Sequence, residues 1–443
     1  MENVEPIVAI ATAQGHAGIG VLRLSGSRLD RFFQGLLGHQ PSPTPREAAF
    51  RRFLDRDGSA LDEGIMLYFP GPASFTGEDV LELQAHGGPA VLQLLLSRCQ
   101  ELGARLAQPG EFTRRAFLNG KLDLAQAEAV ADLIAAESSA AARGALRSLN
   151  GAFSERVNLL VGDLVNLRLH VEGSIDFSDE DLDFLSDFPL EGCLKALLIT
   201  LDTLSASTRQ GLLLGSGCHV VLVGAPNVGK SSLLNALAED DLALVTDVPG
   251  TTRDTIRTRL IIQGVPFHVV DTAGIRETAD ALEQAGIERT WQTIGKSDLA
   301  LVVADARDGL TREDLALLER LPSNLPRHVV FNKADLLDEA RDRAEQRLVS
   351  ARTGQGLQEL KEGLLEWVGW KPQAEPLFVA RQRHLEALQD AGRHMGSALQ
   401  HKDHIEFLAE DLRLAQEALS RITGEFSSDD LLGEIFSRFC IGK

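Results

Sequence analysis

The segment Gly224–Ser231 ("GAPNVGKS") has residue types and spacing suited to binding a chain of phosphates. It fits the pattern G-x-x-x-x-G-K-[ST], follows the apolar run "HVVLVG" and precedes the helical pattern "SLLNAL". Glycines let successive backbone N–H groups surround phosphates, and the following helix N-terminus adds partial positive charge. Lys230 would neutralise β- and γ-phosphate oxygens, and Ser231 would bind Mg²⁺. A glycine-rich strand-to-helix turn without a ligand is the less favoured alternative, and further motifs decide between the two.

Two downstream segments could sense a terminal phosphate. Pro249–Asp254 ("PGTTRD") supplies Thr252, whose hydroxyl and carbonyl would complete Mg²⁺ coordination when a γ-phosphate is present. Asp271 ends the apolar run of "FHVVDTAG", where a carboxylate close to the magnesium ion is expected, and Gly274 would donate its N–H to the γ-phosphate. These positions agree with a nucleoside triphosphate site.

Two more segments could recognise a base. Asp335 of "NKAD" (Asn332–Asp335) would accept hydrogen bonds from N1–H and the 2-amino group of guanine, whereas adenine would leave this charge unpaired. A backbone N–H of "SAR" (Ser350–Arg352) would meet guanine O6. All five segments follow predicted strands in the order that the chemistry requires, so the sequence predicts a guanine-nucleotide-binding domain.

The residue after "DTAG" raises a question about catalysis. Well-known GTPases place a glutamine there to orient the attacking water, whereas this chain has Ile275, whose side chain makes no hydrogen bond. Either the chain does not hydrolyse nucleotide or another group replaces the glutamine.

The pattern along the chain predicts several domains. Residues 1–118 mix short β-rich runs with glycine and proline and one helical stretch after "HGGP", as in a small α+β domain. Residues 119–214 have helical spacing and are rich in alanine. In residues 215–376 apolar runs ("HVVLVG", "FHVVDTAG", "LALVVADA", "HVVFNKAD", "RLVSA") alternate with helices, which predicts a doubly wound sheet. Residues 377–443 are helical again, so we expect a helical domain interrupted by an inserted α/β domain.

Composition limits the setting. No run approaches the ~18 apolar residues of a membrane helix, and the N-terminal residues lack the basic segment of a secretory signal. Four scattered cysteines without a C-x-x-C pair suit a reducing cytoplasm rather than a disulfide scaffold or zinc site.

Charge along the chain is mostly acidic. The formal charge is −20, and the sequence has no basic stripe of the kind expected for broad nucleic-acid contact. The run "DFSDEDLDFLSD" (176–187) fits a solvated acidic face better than a metal cluster, and the terminal lysine of "FCIGK" argues against prenylation.

The motifs "GAPNVGKSSLLNAL", "TDVPGTTRD", "DTAGIRET" and "NKAD" resemble those of the translation-factor-related GTPases. Within that class, "DTAGIRETADALEQAGIERT" and "FCIGK" resemble the MnmE (TrmE) family of tRNA wobble-uridine modification GTPases, and the resemblance covers the whole chain. It implies a Ras-like P-loop G domain inserted in the helical domain, after an N-terminal domain similar to folate-binding modules. The motifs and the resemblance together predict these GTP-binding residues: Asn227, Val228, Gly229, Lys230, Ser231, Ser232, Thr246, Asp247, Val248, Pro249, Gly250, Thr251, Thr252, Asp271, Thr272, Ala273, Gly274, Asn332, Lys333, Ala334, Asp335, Ser350, Ala351 and Arg352.

The resemblance also implies what replaces the glutamine. Members of the family use K⁺ and a glutamate further along, which corresponds to Glu283. Potassium would offset charge on the β–γ bridging oxygen, where other systems insert an arginine. The implied K⁺ ligands are the Asn227 side chain, the Thr246 and Val248 carbonyls, and Thr251. Taken alone, Glu283 also fits an exposed helical carboxylate, and Arg276 is a weaker candidate for an internal arginine finger.

For the first domain, the resemblance implies binding of 5-formyl- or 5,10-methylene-tetrahydrofolate by Arg23, Glu82, Lys121 and Lys443. A pterin edge suits a carboxylate and an anionic glutamate tail suits Arg and Lys, although a surface salt bridge and a helix N-terminal region fit the same residues. Cys440 has two interpretations, a reactive thiol near the folate carbon or a small buried hydrophobe. The glycine order of "GHAGIGVLRLSG" excludes a dinucleotide fingerprint.

The resemblance implies a homodimer that forms a heterotetramer with the FAD-dependent protein MnmG and modifies C5 of tRNA uridine 34 in the cytoplasm. Two alternatives stay open at this point. One is a regulatory or ribosome-assembly GTP switch whose first domain is only an interaction module. The other is a GTP-binding scaffold without turnover.

Overall fold

A computed structural model describes residues 5–13, 15–176, 188–239, 257–271, 291–292, 294–337, 347–371, 378–425, 429–437, 439–440 and 442. The chain divides into two compact units. The first comprises Met1–Ile134, Ser148–Leu201 and Ala387–Lys443, and the second comprises Ala135–Arg147 and Asp202–Glu386.

The first unit begins with a six-stranded sheet. Its strands are β1 (Ile7–Ile10), β2 (Ala17–Gly26), β3 (Ala49–Leu54), β4 (Ala60–Phe69), β5 (Asp79–Gly87) and β6 (Arg105–Leu106), and its helices are α1 (Asp30–Leu37), α2 (Pro89–Glu101) and α3 (Glu111–Leu118). The strand order is β3-β4-β5-β2-β1-β6, antiparallel except where β1 pairs with β6. The α+β prediction is confirmed, and α2 is the helix expected after "HGGP".

The two faces of this sheet have different coverings because side chains alternate along a strand. Leu22 and Leu24 of β2 join Phe32 of α1 and Leu95 of α2 in one buried cluster. Ile7 and Ala9 of β1 point to the opposite face, where Phe112 of α3 packs on them. Arg23 alternates with Leu22 and Leu24 and so belongs to the α3 side.

Long helices follow, as the spacing predicted. They are α4 (Leu124–Ala135), α5 (Ser139–Leu149), α6 (Ala152–Asp176) and α7 (Leu190–Ser216), and at the other end of the chain α11 (Gln382–Gln400), α12 (Ile405–Thr423) and α13 (Asp429–Ser437). Leu124 and Ala127 of α4 pack against Leu432 and Phe436 of α13. Helix α13, near the C-terminus, therefore packs on a helix that comes more than 290 residues earlier in the chain. No helix in the described ranges is long and apolar enough to cross a membrane.

The second unit contains a five-stranded sheet. Its strands are β7 (Cys218–Val223), β8 (Arg257–Ile262), β9 (Val265–Asp271), β10 (Leu299–Asp305) and β11 (Arg327–Asn332), with helices α8 (Lys230–Glu239), α9 (Arg312–Arg320) and α10 (Leu357–Trp367). The order is β11-β10-β7-β9-β8; β8 alone is antiparallel to its neighbour. Buried side chains lie on both faces, Leu222 and Phe267 on one and Val221 and Val302 on the other.

This is the Ras-like, doubly wound arrangement expected, and the fold class is confirmed. One strand differs: "RLVSA" forms a single parallel bridge, Phe331 with Leu348. Three residues, Ala334–Leu336, form a 3₁₀ turn after β11. The second unit also includes α5 up to Arg147, where Ser138 Oγ donates to the Gly264 carbonyl in the β8–β9 turn at 2.7 Å.

Because all three tryptophans (Trp291, Trp367, Trp370) lie in the second unit, intrinsic fluorescence reports its unfolding selectively. Phe267 of β9 is fully buried. We expect Phe267→Ala to lower the free energy of unfolding of this unit by about 3–5 kcal/mol, since it removes a ring from a close-packed core. Urea unfolding followed by tryptophan emission measures this.

Two variants serve as controls. Leu315→Ala on α9, where the side chain is 48% exposed, should change the same transition by less than about 0.5 kcal/mol. Phe32→Ala lies in the first unit and should leave the tryptophan signal unchanged. A loss below 1 kcal/mol for Phe267→Ala would contradict the packing described.

Candidate nucleotide-binding site

Three residues of the loop between β7 and α8 have positive φ angles, which residues other than glycine and asparagine rarely adopt. Gly224 has φ 150°, and a Cβ there would lie 2.1 Å from the Val303 carbonyl oxygen. Asn227 and Gly229 also have positive φ, at 62° and 92°. These conformations turn the chain back before α8, as expected for backbone N–H groups that surround phosphates.

Lys230, at the start of α8, is held by this loop. Its Nζ donates to the Gly224 carbonyl at 2.8 Å and to the Ala225 carbonyl at 3.1 Å. Burial lowers the pKa of Lys230, and the charges of Asp271 and Asp314 oppose that shift. An ammonium group in a partly desolvated loop is suited to replace these carbonyl contacts by phosphate oxygens.

Ser231 and Asp271, which the sequence predicts to lie at a magnesium ion, are hydrogen-bonded to each other. Asp271 ends β9 opposite Leu222 of β7, and its Oδ2 accepts a hydrogen bond from Ser231 Oγ at 2.8 Å. The Asp271 carboxylate is buried, and its Oδ1 has no hydrogen-bond partner within the described part of the chain. A hydroxyl and a buried carboxylate oxygen lacking a partner fit a hydrated Mg²⁺, which prefers oxygen ligands.

The base-recognition segment is tied to the phosphate loop. Asn332, the last residue of β11, donates from Nδ2 to the Val228 carbonyl at 2.9 Å and accepts at Oδ1 from Ala351 N–H at 3.1 Å. Lys333 has φ 65°, and its Nζ donates to the Asn227 carbonyl at 2.7 Å. One turn therefore connects the phosphate loop with the segment Ser350–Arg352.

Asp335 is positioned by the hydroxyl of Ser350, which is itself held by a backbone N–H. Its Oδ1 accepts from Ser350 Oγ at 2.7 Å, and Ser350 Oγ accepts from Thr353 N–H at 3.2 Å. Ser350 is fully buried, whereas Asp335 is half-buried. The carboxylate is thus oriented by a fixed hydroxyl and keeps an oxygen for a base.

Asp305 is a functional candidate that the motifs did not identify. At the end of β10, its Oδ2 accepts from Lys333 Nζ at 2.8 Å and from Arg307 Nη2 at 2.7 Å. The Arg307 hydrogen bond is the largest cause holding the pKa of Asp305 below its usual range, and Lys333 adds to it. The only signal in the sequence was an aspartate ending the apolar run "LALVVAD".

Of the remaining predicted residues, Ser232 and Arg352 are exposed at the ends of their segments. Several others fall outside the described residues: Thr246, Asp247, Val248, Pro249, Gly250, Thr251, Thr252, Thr272, Ala273, Gly274, Ile275, Arg276, Glu283 and Lys443. The acidic run 176–187 also lies outside them apart from Asp176.

In the first unit, the structure brings some predicted folate residues together. Arg23 and Glu82 are direct partners in the β2–β5 register, and Arg23 Nε donates to Glu82 Oε1 at 2.9 Å. Lys121 lies three residues after α3, and its Nζ donates to the Pro72 carbonyl at 3.1 Å.

The C-terminal residues lie at the other end of α3. The Gly110 N–H donates to the Cys440 carbonyl at 3.3 Å, and a Cβ at Gly442 would lie 2.7 Å from the Ile10 carbonyl oxygen. Cys440 is exposed, so its interpretation as a small buried hydrophobe is wrong. The tail thus contacts the end of β1 and the start of α3.

The fold and the loop, hydroxyl, carboxylate and "NKAD" contacts define the second unit as the G domain of a P-loop GTPase. Two family models match the chain: the GTP-binding protein TrmE N-terminus over residues 6–121 and the MnmE helical domain over 124–440. The chain therefore belongs to the MnmE family and is a GTP hydrolase involved in tRNA modification.

Relatives agree with this assignment over the full length. The chain is 57% identical to the tRNA modification GTPase MnmE of Chromobacterium violaceum, covering 99% of this chain and 98% of that protein. It is 55% identical to MnmE of Bordetella avium, covering 100% of both. Among solved structures it is similar to Era of Aquifex aeolicus bound to GDP·AlF4⁻, at 27% identity and a TM-score of 0.29, covering 40% of this chain and 67% of that one.

The Asp335 carboxylate generates a prediction about base selection. Asp335→Asn places an NH₂ donor against the donors of guanine, so we expect GTP affinity to fall about a hundredfold, as two charge-assisted bonds are lost. Xanthosine triphosphate, which has a carbonyl in place of the 2-amino group, should gain affinity. Competition of each nucleotide against a fluorescent GDP analogue measures both effects.

Asp308→Asn, an exposed aspartate beyond β10, is the matched control and should leave both affinities unchanged. If Asp335→Asn weakened GTP without any gain for the xanthine nucleotide, Asp335 would not be the residue that reads the base edge.

Proposed function

We propose that this GTPase works with an FAD-containing partner (MnmG) to add an aminomethyl or carboxymethylaminomethyl group to C5 of uridine 34 in certain tRNAs. A 5-formyl- or 5,10-methylene-tetrahydrofolate supplies the carbon. The protein acts as a homodimer, forms a heterotetramer with its partner, and works in the cytoplasm. Its domains are a folate-binding module (1–118), a helical domain (119–214 and 377–443) and the inserted G domain (215–376).

The observation that supports the folate assignment is the packing of the C-terminal tail on β1, the strand that pairs with the Arg23 strand β2. The register pairs Ala9 of β1 with Arg23 of β2, and Gly442 packs on Ile10 and Ala11. Residues from the two ends of the chain therefore meet at β1, and Lys121 lies beyond the far end of α3. The Arg23–Glu82 pair offers a carboxylate that suits a pterin edge and a cation that suits an anionic tail.

The terminal residues have proposed roles in this arrangement. Lys443 joins Arg23, Glu82 and Lys121 as a folate ligand, and the exposed Cys440 thiol acts near the transferred carbon. The Arg23–Glu82 ion pair is only partly exposed, with side-chain exposures of 21% and 16%. The paired side chains are thus held in place before a ligand binds, which reduces the entropy lost on binding.

The G domain uses Mg²⁺ and K⁺ in this proposal. Ser231 and Thr252 bind Mg²⁺, and the buried Asp271 oxygen supports its place. Asn227, Thr246, Val248 and Thr251 bind K⁺, which when present neutralises charge developing between the β- and γ-phosphates. The left-handed backbone of Asn227 inside the phosphate loop supports its role. Glu283 positions the attacking water through a second water, which replaces the glutamine absent at Ile275.

GTP hydrolysis drives a domain motion rather than the carbon transfer itself, and the flavin protein supplies much of the tRNA contact. This division of labour accounts for an acidic chain, with a formal charge of −20, that acts in tRNA modification.

The GTPase part is tested by the monovalent cation. We expect phosphate release to be faster in KCl than in NaCl at equal ionic strength. Glu283→Ala should abolish turnover with GTP affinity retained, since the side chain acts on water and not on the nucleotide. Equal rates in the two salts would rule out the potassium role.

The folate part is tested separately by calorimetry. We expect reduced folates to bind the wild-type protein and Arg23→Ala to lose this binding with GTP hydrolysis unchanged, because Arg23 lies in the other compact unit. Nucleoside analysis of tRNA from cells carrying Arg23→Ala should show uridine 34 unmodified. Normal modification without folate binding would favour a GTP switch whose first domain is only an interaction module.

A further inference from the structure

The strongest unassigned group near the nucleotide site is the buried carboxylate of Asp314, at the N-terminal turn of α9. It is 1% exposed, although it belongs to none of the five nucleotide motifs. A buried carboxylate costs free energy unless hydrogen bonds compensate it. The hydrogen-bond donors to each of its two oxygens therefore indicate its role.

One oxygen of Asp314 caps its own helix. Oδ2 accepts from Thr311 N–H at 3.0 Å and from Thr311 Oγ1 at 2.7 Å, and Asp314 N–H donates back to Thr311 Oγ1 at 3.2 Å. This reciprocal capping box satisfies N–H groups at the helix end. It needs only one of the two oxygens.

The other oxygen of Asp314 points away from its own helix and contacts the phosphate loop. Oδ1 accepts from the N–H of Ala225 at 3.3 Å, and the carbonyl of the same residue accepts from Lys230 Nζ. The backbone of Ala225 is thus bound on one side by Asp314 and on the other by the lysine that faces phosphate. The residue before it, Gly224, lies so close to β10 that a Cβ there would be 2.1 Å from the Val303 carbonyl oxygen.

We propose that Asp314 is a positioning residue for GTP and GDP binding, which holds the first turn of the phosphate loop in its binding conformation before nucleotide arrives. It touches no substrate atom and acts through the Ala225 backbone. The inference depends on the GTPase activity of the chain and not on the folate chemistry proposed above.

The tether reduces the entropy that nucleotide binding must otherwise remove from the loop. Since it acts on the loop before either nucleotide binds, the affinities for GDP and GTP depend on it equally. Turnover of bound GTP depends on it little. A residue that acted on the γ-phosphate would instead separate GTP from GDP.

Asp314→Asn is the informative substitution. The side-chain amide has one oxygen, and orienting it toward Thr311 keeps two capping bonds, whereas orienting it toward Ala225 keeps one longer bond. The oxygen therefore stays on Thr311 and the NH₂ group faces the Ala225 N–H, which breaks the tether and preserves the cap. We expect about tenfold weaker binding of both nucleotides, the usual scale for one lost hydrogen bond to a charged group. KM for GTP should rise in parallel while kcat changes by less than about threefold.

Two controls separate this role from a purely structural one. Thr311→Val removes the hydroxyl of the cap and leaves Oδ1 on Ala225, so it should lower the urea midpoint reported by tryptophan with GDP affinity within about twofold of wild type. Glu313→Gln changes the adjacent exposed carboxylate of the same helix turn and should alter neither property.

The wild-type protein supplies a test that does not depend on a variant folding. Amide hydrogen exchange without nucleotide, on overlapping peptides that isolate the Ala225 amide, should show protection. Exchange at the rate of an unprotected amide would overturn the proposal. So would Asp314→Asn with wild-type GDP affinity, or an equal loss of affinity in Thr311→Val.

Discussion

Backbone pairing between four parallel strands is the constraint on which the nucleotide site depends. The register sets Leu222 of β7 opposite Asp271 of β9 and Asp305 of β10 opposite Asn332 of β11. Parallel strands end at one edge of a sheet, where ligands of such folds bind. Asn332 and Asp271, each the last residue of its strand, therefore contact the loop after β7 and the start of α8, and Asp305 binds Lys333, whose ammonium group reaches the same loop.

Three carboxylates near this loop, those of Asp305, Asp314 and Asp271, have different hydrogen-bond partners. Asp305 is paired with Arg307 and Lys333, and Asp314 accepts hydrogen bonds only from neutral backbone and hydroxyl groups in the contacts described above. Asp271 has a serine on one oxygen and no partner on the other. Buried charge is stable when it is paired or hydrogen-bonded, so the incomplete set around Asp271 distinguishes it from the other two. Asp271 is thus the one of these three carboxylates with an oxygen that has no partner among the described residues.

The first unit uses a related arrangement in an antiparallel sheet. One face is closed by α1 and α2, whereas the other carries Arg23, Glu82 and α3. The start of helix α3 contacts the C-terminal tail, because the Gly110 N–H donates to the Cys440 carbonyl. The C-terminal tail becomes part of the N-terminal unit because α13 packs on α4, with Phe439 and Cys440 at Gly110 and Gly442 at the end of β1.

The sequence by itself determined the order of the nucleotide motifs, the alternation of strands and helices, and the class of base recognised. These features depend on local spacing: a glycine-rich loop, an apolar run and a helix start are recognisable within ten residues.

Only the tertiary structure decided what those local features contact. It placed Asp314 on Ala225, Asp305 on Lys333, and the exposed Cys440 beside Gly110. It also reduced the strand expected at "RLVSA" to a single bridge, because only Leu348 pairs with Phe331. Hydrogen bonds between residues many positions apart leave no periodic trace in the chain, since they depend on strand order and helix packing rather than on spacing.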